Sequence, residues 1–428
     1  MSSIFVNKKF ILLSLIIYAL LAAGLITRNG AFLALAVPVM VYWGAALLFA
    51  PETPQLRVER RLSHDRATPD QPVIVTVTVT NEGPLLAELM LVDAVPPALR
   101  IIEGQAGVLT TLPGGESVEF NYQVLGQRGL YRFSAVSATV SDYFGLFPLQ
   151  VSLSAPAQFF VLPERVKLRR VAIRPRRVGL YSGQIPARQG GPGVEFFGVR
   201  EYQPGDPVRW INSRATARYP QTLFVNEFEQ ERMVDVGLVV DARRQSDVQV
   251  GSESLFEYNI QAAAALAETF LGSGNRVGLL VYGRSINWTF PGYGKVQQER
   301  IMRSLAQAEQ GAGEVFERLE HLPTWLFPLH SQLVLISPLL PEDANELIKL
   351  RARGYRVLVI SPNPIEFERR MLADSKPVAL AVRIAQAERD LLFKKLRHAQ
   401  IQVVDWPVAV PFYQVAHTAL SRLPWQRG

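Results

Sequence analysis

The pattern of hydrophobic and polar positions changes character along this chain. Phe10–Ile26 and Ala31–Ala50 are apolar runs without a single charge. At about 1.5 Å per residue the second reaches about 30 Å, one hydrocarbon core, and the first about 26 Å. Only Thr27, Arg28, Asn29 and Gly30 separate them, which predicts a helical hairpin with both ends on one side. A cleaved signal peptide would show one short core and a small-residue cleavage site, whereas a second run follows here at once. A buried soluble helix accommodates the first run alone but not the pair.

From Leu56 to about Val166 the pattern is β. Pro72–Asn81 alternates strictly, with Val73, Val75, Val77 and Val79 on one face, and Asn81–Pro84 ends it as a turn. Ala87–Asp93, Ser117–Val124, Gly129–Thr139 and Phe159–Leu162 follow as short runs. Pro96-Pro97, Pro113–Gly115 and Gly145 punctuate them, so a small antiparallel sandwich is expected. No charged cluster in it suggests chemistry.

Residues 183–220 follow neither period. Gly190-Gly-Pro-Gly193 reads as too glycine-rich for regular structure. Gln203-Pro-Gly-Asp206 is a type II turn, Pro204 presetting φ and Gly205 accepting a positive one. Glu195, Arg200, Glu201, Asp206, Arg209, Arg214 and Arg218 crowd among Phe196, Phe197, Tyr202 and Trp210. Such density predicts a partly buried ion-pair network, or alternatively a partner or effector site.

From Val234 apolar strands alternate with helical patterns. Strands are expected at Val234–Val240, Arg276–Tyr282, Gln332–Ser337, Arg356–Ile360 and Ile401–Asp405. Helices are expected at Leu255–Leu271, Lys295–Ala308, Glu342–Arg353, Ala381–Ala399 and Pro411–Leu423. This order predicts a mostly parallel sheet covered on both faces, with functional loops at the carboxyl ends of its strands. Those ends carry Asp241, Ser337-Pro338 and Ser361-Pro362.

Charge sets the topology. Lys8 and Lys9 precede the hairpin, Arg57, Arg60 and Arg61 follow it, and the turn carries only Arg28, which places the rest of the chain in the cytoplasm. The 428 residues include no cysteine, which excludes disulfides, thiol catalysis and zinc-thiolate sites. Net charge is +7. Six of the eleven residues in Lys167–Arg177 are basic: Lys167, Arg169, Arg170, Arg174, Arg176 and Arg177. They are candidates to meet anionic lipid. A solvated connector is the structural alternative, and the stretch lacks the interleaved aromatics of single-strand nucleic-acid binders.

Glu195-Phe-Phe-Gly-Val-Arg-Glu-Tyr-Gln-Pro-Gly-Asp206, with Arg209 and Ala215–Arg218, closely resembles the signature of the membrane proteins grouped as domain of unknown function 58. Arg128–Tyr131 and Asp142–Phe147 resemble further motifs of that family. The resemblance implies an α/β domain similar to a von Willebrand factor type A domain. It also implies a role in assembling or regulating membrane-associated complexes beside a MoxR-type AAA+ ATPase. Type A domains often hold a divalent ion on an Asp-x-Ser-x-Ser loop, a set of hard oxygen donors. Here the loop reads Asp241-Ala-Arg243-Arg-Gln245, and Pro338 stands where a later aspartate is usual. Arg243 turned toward a divalent ion about 4 Å away would cost roughly 8 kcal/mol at an effective dielectric of about 20. Turned outward it supplies no ligand. Ser246, Asp247, Ser337 and Thr289 offer oxygens in a different pattern, so no metal and no cofactor are expected.

Enzyme motifs are otherwise missing: there is no Gly-x-Ser-x-Gly, no His-Glu-x-x-His and no phosphate loop. Gly292-Tyr-Gly294-Lys295 reads as an ordinary loop, and the five histidines are scattered. The expectation is a membrane-anchored, multi-pass protein of the inner (plasma) membrane. Its parts are a transmembrane hairpin (1–55), a β-sandwich (56–166), a basic connector with the signature (167–233) and a degenerate type A-like, Rossmann-like domain (234–428). Asp241, Arg243 and Arg244, with Glu195, Arg200, Glu201, Asp206 and Arg209, are the candidate contacts for a protein partner, in the first place a MoxR-type ATPase. The alternatives are an enzyme, a hydrolase or nucleotide user with its site in 195–218, and a nucleic-acid binder through 167–177.

Overall fold

The computed structural model describes residues 3–4, 8–48, 53–141, 148–164, 166–168, 185–219, 221–232, 234–251, 253–283, 286–311, 318–373 and 375–420. The chain forms two compact units, Met1–Leu162 and Pro163–Gly428.

The first unit opens with a short strand, β1 (Ser3–Ile4), and helices α1 (Lys8–Thr27) and α2 (Gly30–Leu48). Arg28 takes a positive φ of 51° and reverses the chain. Asn29 then accepts from the Ala31 amide at 3.0 Å and caps α2. The two helices run antiparallel. Phe10 stacks on Trp43 at 5.5 Å, and the Trp43 indole donates to Ser14 Oγ at 3.1 Å. Gly24 allows the close approach, since a Cβ there would lie 2.9 Å from the Leu33 side chain. Leu12, Leu15, Leu25 and Ile26 are exposed, so this pair shows its apolar surface outward. Among the described residues α1 is long and apolar enough to cross a membrane, and the apolar part of α2, Gly30–Ala46, is shorter.

Nine further strands build the rest of this unit: β2 (Leu56–Leu62), β3 (Arg66–Ala67), β4 (Val73–Asn81), β5 (Leu86–Asp93), β6 (Leu99–Gly104), β7 (Gly107–Leu112), β8 (Ser117–Gly126), β9 (Gly129–Ser141) and β10 (Leu149–Val161). One sheet has the order β2-β4-β8-β6 and the other β1-β10-β9-β5-β7, with β3 beside β10. All pairs are antiparallel except β3 with β10. The alternation in β4 is realised: Val73, Val75, Val77 and Val79 are buried, and they share one core with Leu89, Leu91, Val136, Ala138 and Phe159. Strands β6 and β7 were not legible because β6 buries only Leu99 and so carries no alternating signal. The run expected at Phe159–Leu162 is the end of the longer β10, whose period breaks at a register shift between Ser154 and Ala157. Pro156 sits at that shift, where no ladder N–H is needed.

The sandwich also buries a charge pair that its sequence did not suggest. Arg60 Nε donates to Asp93 Oδ2 at 3.2 Å, Arg60 Nη2 pairs with Asp93 Oδ1, and Nη1 reaches the Ala155 carbonyl. Both side chains are fully buried. Tyr122 donates to Asp93 Oδ2 at 2.6 Å, and burial, reinforced by that carboxylate, pushes its phenol well above the ordinary value. Arg60, which reads in the sequence as part of the hairpin's basic flank, is therefore a neutralised core residue and not a surface charge.

The second unit begins with a two-stranded ribbon, β11 (Ile185–Glu201) and β12 (Phe224–Arg232), joined through α3 (Ser213–Arg218). Gly190–Gly193 lies within β11, which corrects the reading of that stretch as irregular. The ribbon tolerates the glycines because its register shifts between Ala187 and Gly190, Gly191 and Phe196, and Phe196 and Gly198.

The larger sheet comprises β13 (Asp235–Ala242), β16 (Arg276–Gly283), β17 (Ile286–Gly292), β18 (Gln332–Ile336), β19 (Arg356–Pro362) and β20 (Gln402–Trp406), a small ribbon of β14 (Gln249–Val250) and β15 (Glu253–Ser254) lying apart from it. The order is β17-β16-β13-β18-β19-β20, parallel except for the edge strand β17. That strand was unforeseen, since Gly292 reads in the sequence as the start of a loop, and an edge position accepts both Pro291 and Gly292. The helices are α4 (Leu255–Gly272), α5 (Gly294–Ala306), α6 (Asp343–Ala352), α7 (Pro364–Arg369), α8 (Lys376–His398) and α9 (Phe412–Leu420). Val239, Leu335, Val357 and Val359 pack with Leu347 and Leu350 of α6 and Phe393 and Leu396 of α8. The alternate strand residues Val236, Leu238 and Val240 are also buried, on the opposite face of the sheet. The Ala-rich α4 buries Ala262 to Ala267 without a gap.

Candidate functional site

The carboxyl end of β13 lies at the middle of the sheet, where α/β proteins bind ligands. Asp241 and Arg243 meet there inside the protein. The Arg243 guanidinium lies between two carboxylates. Its Nε and Nη2 donate to Asp241 Oδ1 at 2.9 Å and Oδ2 at 2.8 Å. Its Nη1 and Nη2 donate to Asp343 Oδ1 at 3.0 Å and Oδ2 at 2.7 Å. The Arg243 amide donates to Asp241 Oδ1 at 3.0 Å, Ser337 Oγ to Asp241 Oδ2 at 2.6 Å, and the Leu340 amide to Asp343 Oδ2 at 2.9 Å. The side chains of Arg243, Asp241 and Asp343 are at most 1% exposed.

Burial alone would pull the Arg243 guanidinium down, but the hydrogen bonds and charges of Asp241 and Asp343 outweigh it and hold the group above its ordinary value. Burial raises the Asp343 carboxyl by more than Arg243 lowers it. Burial likewise pushes the nearby Tyr282 phenol up to about 12. An arginine so held stays charged and gives up no proton, and it neutralises the buried carboxylates on either side of it.

A divalent ion of the type A kind does not fit these residues. Arg243 takes both Asp241 oxygens and both Asp343 oxygens. The other oxygens considered from the sequence are also engaged. Ser246 Oγ donates to the Arg243 carbonyl at 2.9 Å. Asp247 accepts from Ser254 Oγ at 2.9 Å and from the Phe256 amide at 3.0 Å, at the start of α4. Thr289 pairs with Ser304 at 2.9 Å. Arg243 thus turns inward and itself supplies the positive charge, an arrangement that the choice between a metal-facing and an outward arginine had left out.

A second buried arginine closes the neighbouring strand ends. Arg389 of α8 donates to the carbonyls of Pro338 at 2.9 Å and Ser361 at 3.1 Å, to Ser361 Oγ at 3.0 Å and to Asp405 Oδ1 at 2.8 Å. Burial lowers its pKa, against the pull of Asp405. It ties the carboxyl ends of β18, β19 and β20 together. Sequence reading missed both Asp343 and Arg389. Asp343 has a local signal only as an acid in the first turn of a helix, and Arg389 only as a polar break in the buried stripe of α8.

The signature forms a smaller pair. Arg200 Nη1 and Nη2 donate to Asp206 Oδ2 at 2.8 Å and Oδ1 at 2.7 Å, and the Gln203 amide donates to Asp206 Oδ2 at 2.8 Å. The turn is as expected, with Gly205 at φ 109° and the Asp206 amide on the Gln203 carbonyl at 3.0 Å. Arg200, with help from the Gln203 amide, holds the Asp206 carboxyl below the ordinary range. Glu227 lies 3.6 Å from Arg200 Nε, a partner not foreseen. Among the described residues the wider network is not seen: Glu201, Arg209 and Arg214 are exposed, and Arg209 lies 6.0 Å from the Trp210 ring. The Glu195 side chain lies outside the described residues.

Of the proposed partner contacts, Asp241 and Arg243 are therefore interior, while Arg244 is exposed. Burial against Asp343 is the reason, and it removes the first two from any surface. In the basic stretch Lys167 is exposed, and Arg169, Arg170, Arg174, Arg176 and Arg177 lie outside the described residues, as does Asp142–Phe147. Among the described residues no cluster of His, Asp and Glu is arranged to hold a metal.

Gly198 to Glu368 spans the Arg200–Asp206 pair and the Arg243 cluster. These residues, 198–368, match the family described as "Protein of unknown function DUF58". The matched stretch ends before Arg389. The chain is 34% identical over 140 residues to "Uncharacterized protein Rv1480" of Mycobacterium tuberculosis and to "Uncharacterized protein Mb1516" of Mycobacterium bovis. That stretch covers 32% of this chain and 42% of each relative, so the chain spans less than half their length. Among solved structures, the cupredoxin domain of amoB from Nitrosocaldus yellowstonii is 14% identical with a TM-score of 0.19, covering 28% of this chain and 96% of that one. Proximal thread matrix protein 1 from the mussel byssus is 17% identical with a TM-score of 0.23, covering 30% and 38%. At such scores neither likeness carries a functional argument.

Proposed function

We propose that this chain is a membrane-anchored, cytoplasm-facing interaction protein that works without metal, cofactor or turnover. Its partner is a MoxR-type AAA+ ATPase, in the assembly or regulation of membrane-associated complexes. The observation that carries this reading is the Arg243 cluster. The strand ends where an α/β sheet would bind a ligand are filled by the protein's own guanidinium. Recognition then falls to exposed loop residues, Arg244 first. Of the carboxylates on which the catalytic alternative in 195–218 would draw, Asp206 is committed to Arg200 and the Gln203 amide, and among the described side chains the exposed Glu201 is left for it.

Both helices cross the bilayer in this reading. The support is that Ser3–Ile4, before α1, pairs with Leu149 and Gln150 of the sandwich, after α2. Two crossings return the chain to one side, and one crossing would separate those strands. Reporter fusions at Asn29 and after Gly428 should mark opposite sides of the inner membrane, and a periplasmic C-terminal reporter would overturn the topology.

The partner is tested with the full chain in detergent and a purified MoxR-type ATPase from the same organism. Saturable binding that Arg244→Glu weakens about tenfold or more would support the reading, the range expected when one well-placed interface charge is reversed. No binding, or turnover of a hydrolase substrate that Asp206→Asn abolishes, would sink it.

A further inference from the structure

Helices α1 and α2 join the β-sandwich at one and the same end. Ser3–Ile4 pairs antiparallel with Gln150 and Leu149 at the start of β10, so the chain leaves β1 at that end and enters α1. On return from α2 it enters β2 at Leu56, opposite Asn81 at the end of β4. The turn from β4 to β5 (82–85) and the turn from β7 to β8 (113–116) lie at this end as well. The opposite end carries Asp70, ahead of Val73. Strand β4, nine residues long, separates the two ends by about 27 Å.

The two turns are built as one piece. The buried Asn81 side chain donates to the carbonyls of Pro84 at 2.7 Å and Leu112 at 3.0 Å, and accepts from the Gly83 amide at 3.0 Å. Its carbonyl takes the Gly115 amide at 2.7 Å. Gly114 packs on Gly83, whose carbonyl a Cβ at 114 would meet at 2.6 Å. The Glu82 amide donates to the Gln55 carbonyl at 2.8 Å and fixes the turn beside the strand that arrives from α2. Pro84 and Leu85 are exposed, Leu85 by 53%.

The tethers are short. Ile4 and Lys8 are four residues apart, about 14 Å at full stretch, and Leu48 and Leu56 eight, about 29 Å. The headgroup layer is about 5–8 Å deep on each side of a bilayer. On the reading that both helices cross the membrane, we propose that this end of the sandwich docks on the phospholipid headgroups, with Pro84 and Leu85 in that layer. A gap of about 14 Å leaves no room for a folded domain, whose radius of gyration alone is about 13 Å at 100 residues. Charge is not what holds the contact. Among the described side chains this end carries Glu82, Glu88 and Glu116 against Lys9 and Arg57, all exposed. The tethers and the apolar turn hold it, on neutral and anionic lipid alike. Strand β10 then leads away from the bilayer. It begins at Leu149 beside β1 and ends 13 residues on at Val161, about 40 Å farther along, so the sandwich is a spacer.

The chain has no cysteine, so one introduced thiol can carry a fluorophore. Full-length Leu15→Cys, Leu85→Cys and Asp70→Cys, all at exposed positions, are labelled in phosphatidylcholine nanodiscs with nitroxides on either the headgroups or the acyl chains. The headgroup nitroxide should quench the probe at 85 severalfold more than the probe at 70. Bilayers rich in phosphatidylglycerol, or high salt, should leave that ratio unchanged. The acyl-chain nitroxide should quench the probe at 15. A melting curve for each variant excludes loss of fold. Equal quenching at 85 and 70, stronger quenching at 70, or none at either while 15 is quenched would overturn the docking and leave the hairpin standing. Loss of the signal at 85 in high salt would also overturn it, since charge would then hold the contact. No quenching at 15 would sink the hairpin itself and the docking with it.

Discussion

Arg243 and Arg200 make the same bond and live under different rules. Each guanidinium grips an aspartate with two parallel hydrogen bonds of 2.7–3.0 Å. The Arg243 side chain is 1% exposed and its partners no more, whereas Arg200 is 33% and Asp206 13% exposed. Water can replace a lost partner at Arg200. At Arg243 it cannot, so every charge must be answered from within the protein. The first arrangement also needs a partner from far away in sequence, Asp343, 100 residues on, while Asp206 is six residues from Arg200. The local pair shapes a turn, and the distant one holds the carboxyl end of a central strand closed.

The strongest way to break this contrast is Arg243→Met in the full chain. Two buried carboxylates then lose their cation, and a loss of roughly 3–5 kcal/mol is expected from denaturant unfolding. Arg243→Ser sharpens the same point. It leaves Asp241, Asp343 and Ser337 facing a vacated space, so millimolar magnesium should raise the variant's melting temperature saturably and leave the wild type unmoved. A saturable rise in the wild type would show that the guanidinium is not the resident cation.

Arg389→Met should cost less, about 1.5–3 kcal/mol, the range of hydrogen bonds from a charged donor. Asp405 is 32% exposed and can turn to water, but the Pro338 and Ser361 carbonyls lose a donor. A cost equal to that of Arg243→Met would mean that Asp405 is as cut off from water as Asp241 and Asp343, and the contrast between enclosed and solvated pairs would fail.

Asp206→Asn should cost less again, and its cost should depend on pH. Arg200 holds the Asp206 carboxyl below its ordinary value, so the folded state binds the proton more weakly than the unfolded chain. The contribution is therefore complete above the ordinary carboxylate value of about 3.9 and fades as pH falls through the depressed folded value. The stability difference between wild type and Asp206→Asn should be constant at neutral pH and shrink only in strong acid. A difference that shrinks near neutral pH would contradict this pairing. Last, Arg209→Ala and Arg244→Ala should melt like the wild type, since both residues are exposed. If Asp206→Asn also melts unchanged but abolishes partner binding, the signature is a working site and not a locked turn.

The periodic parts of this protein were legible in its sequence because period follows from local geometry. Continuous apolar runs became α1 and α2, the Val73–Val79 alternation became the buried face of β4, and the strand–helix alternation after Val234 became the mostly parallel sheet. The Gln203–Asp206 turn was legible for the same reason, since Pro204 and Gly205 act on their own backbone angles. Edge strands such as β6 and β17 were not, because an edge buries too little to impose a pattern. Nor were the buried charges. Arg60 reads like any basic flank and Asp343 like any helix-start acid until folding brings Asp93 to one and Arg243 to the other. A charge can remain inside a protein only where its partner is delivered by tertiary structure, so what fills the strand ends was decided by the fold and not by the local run of residues.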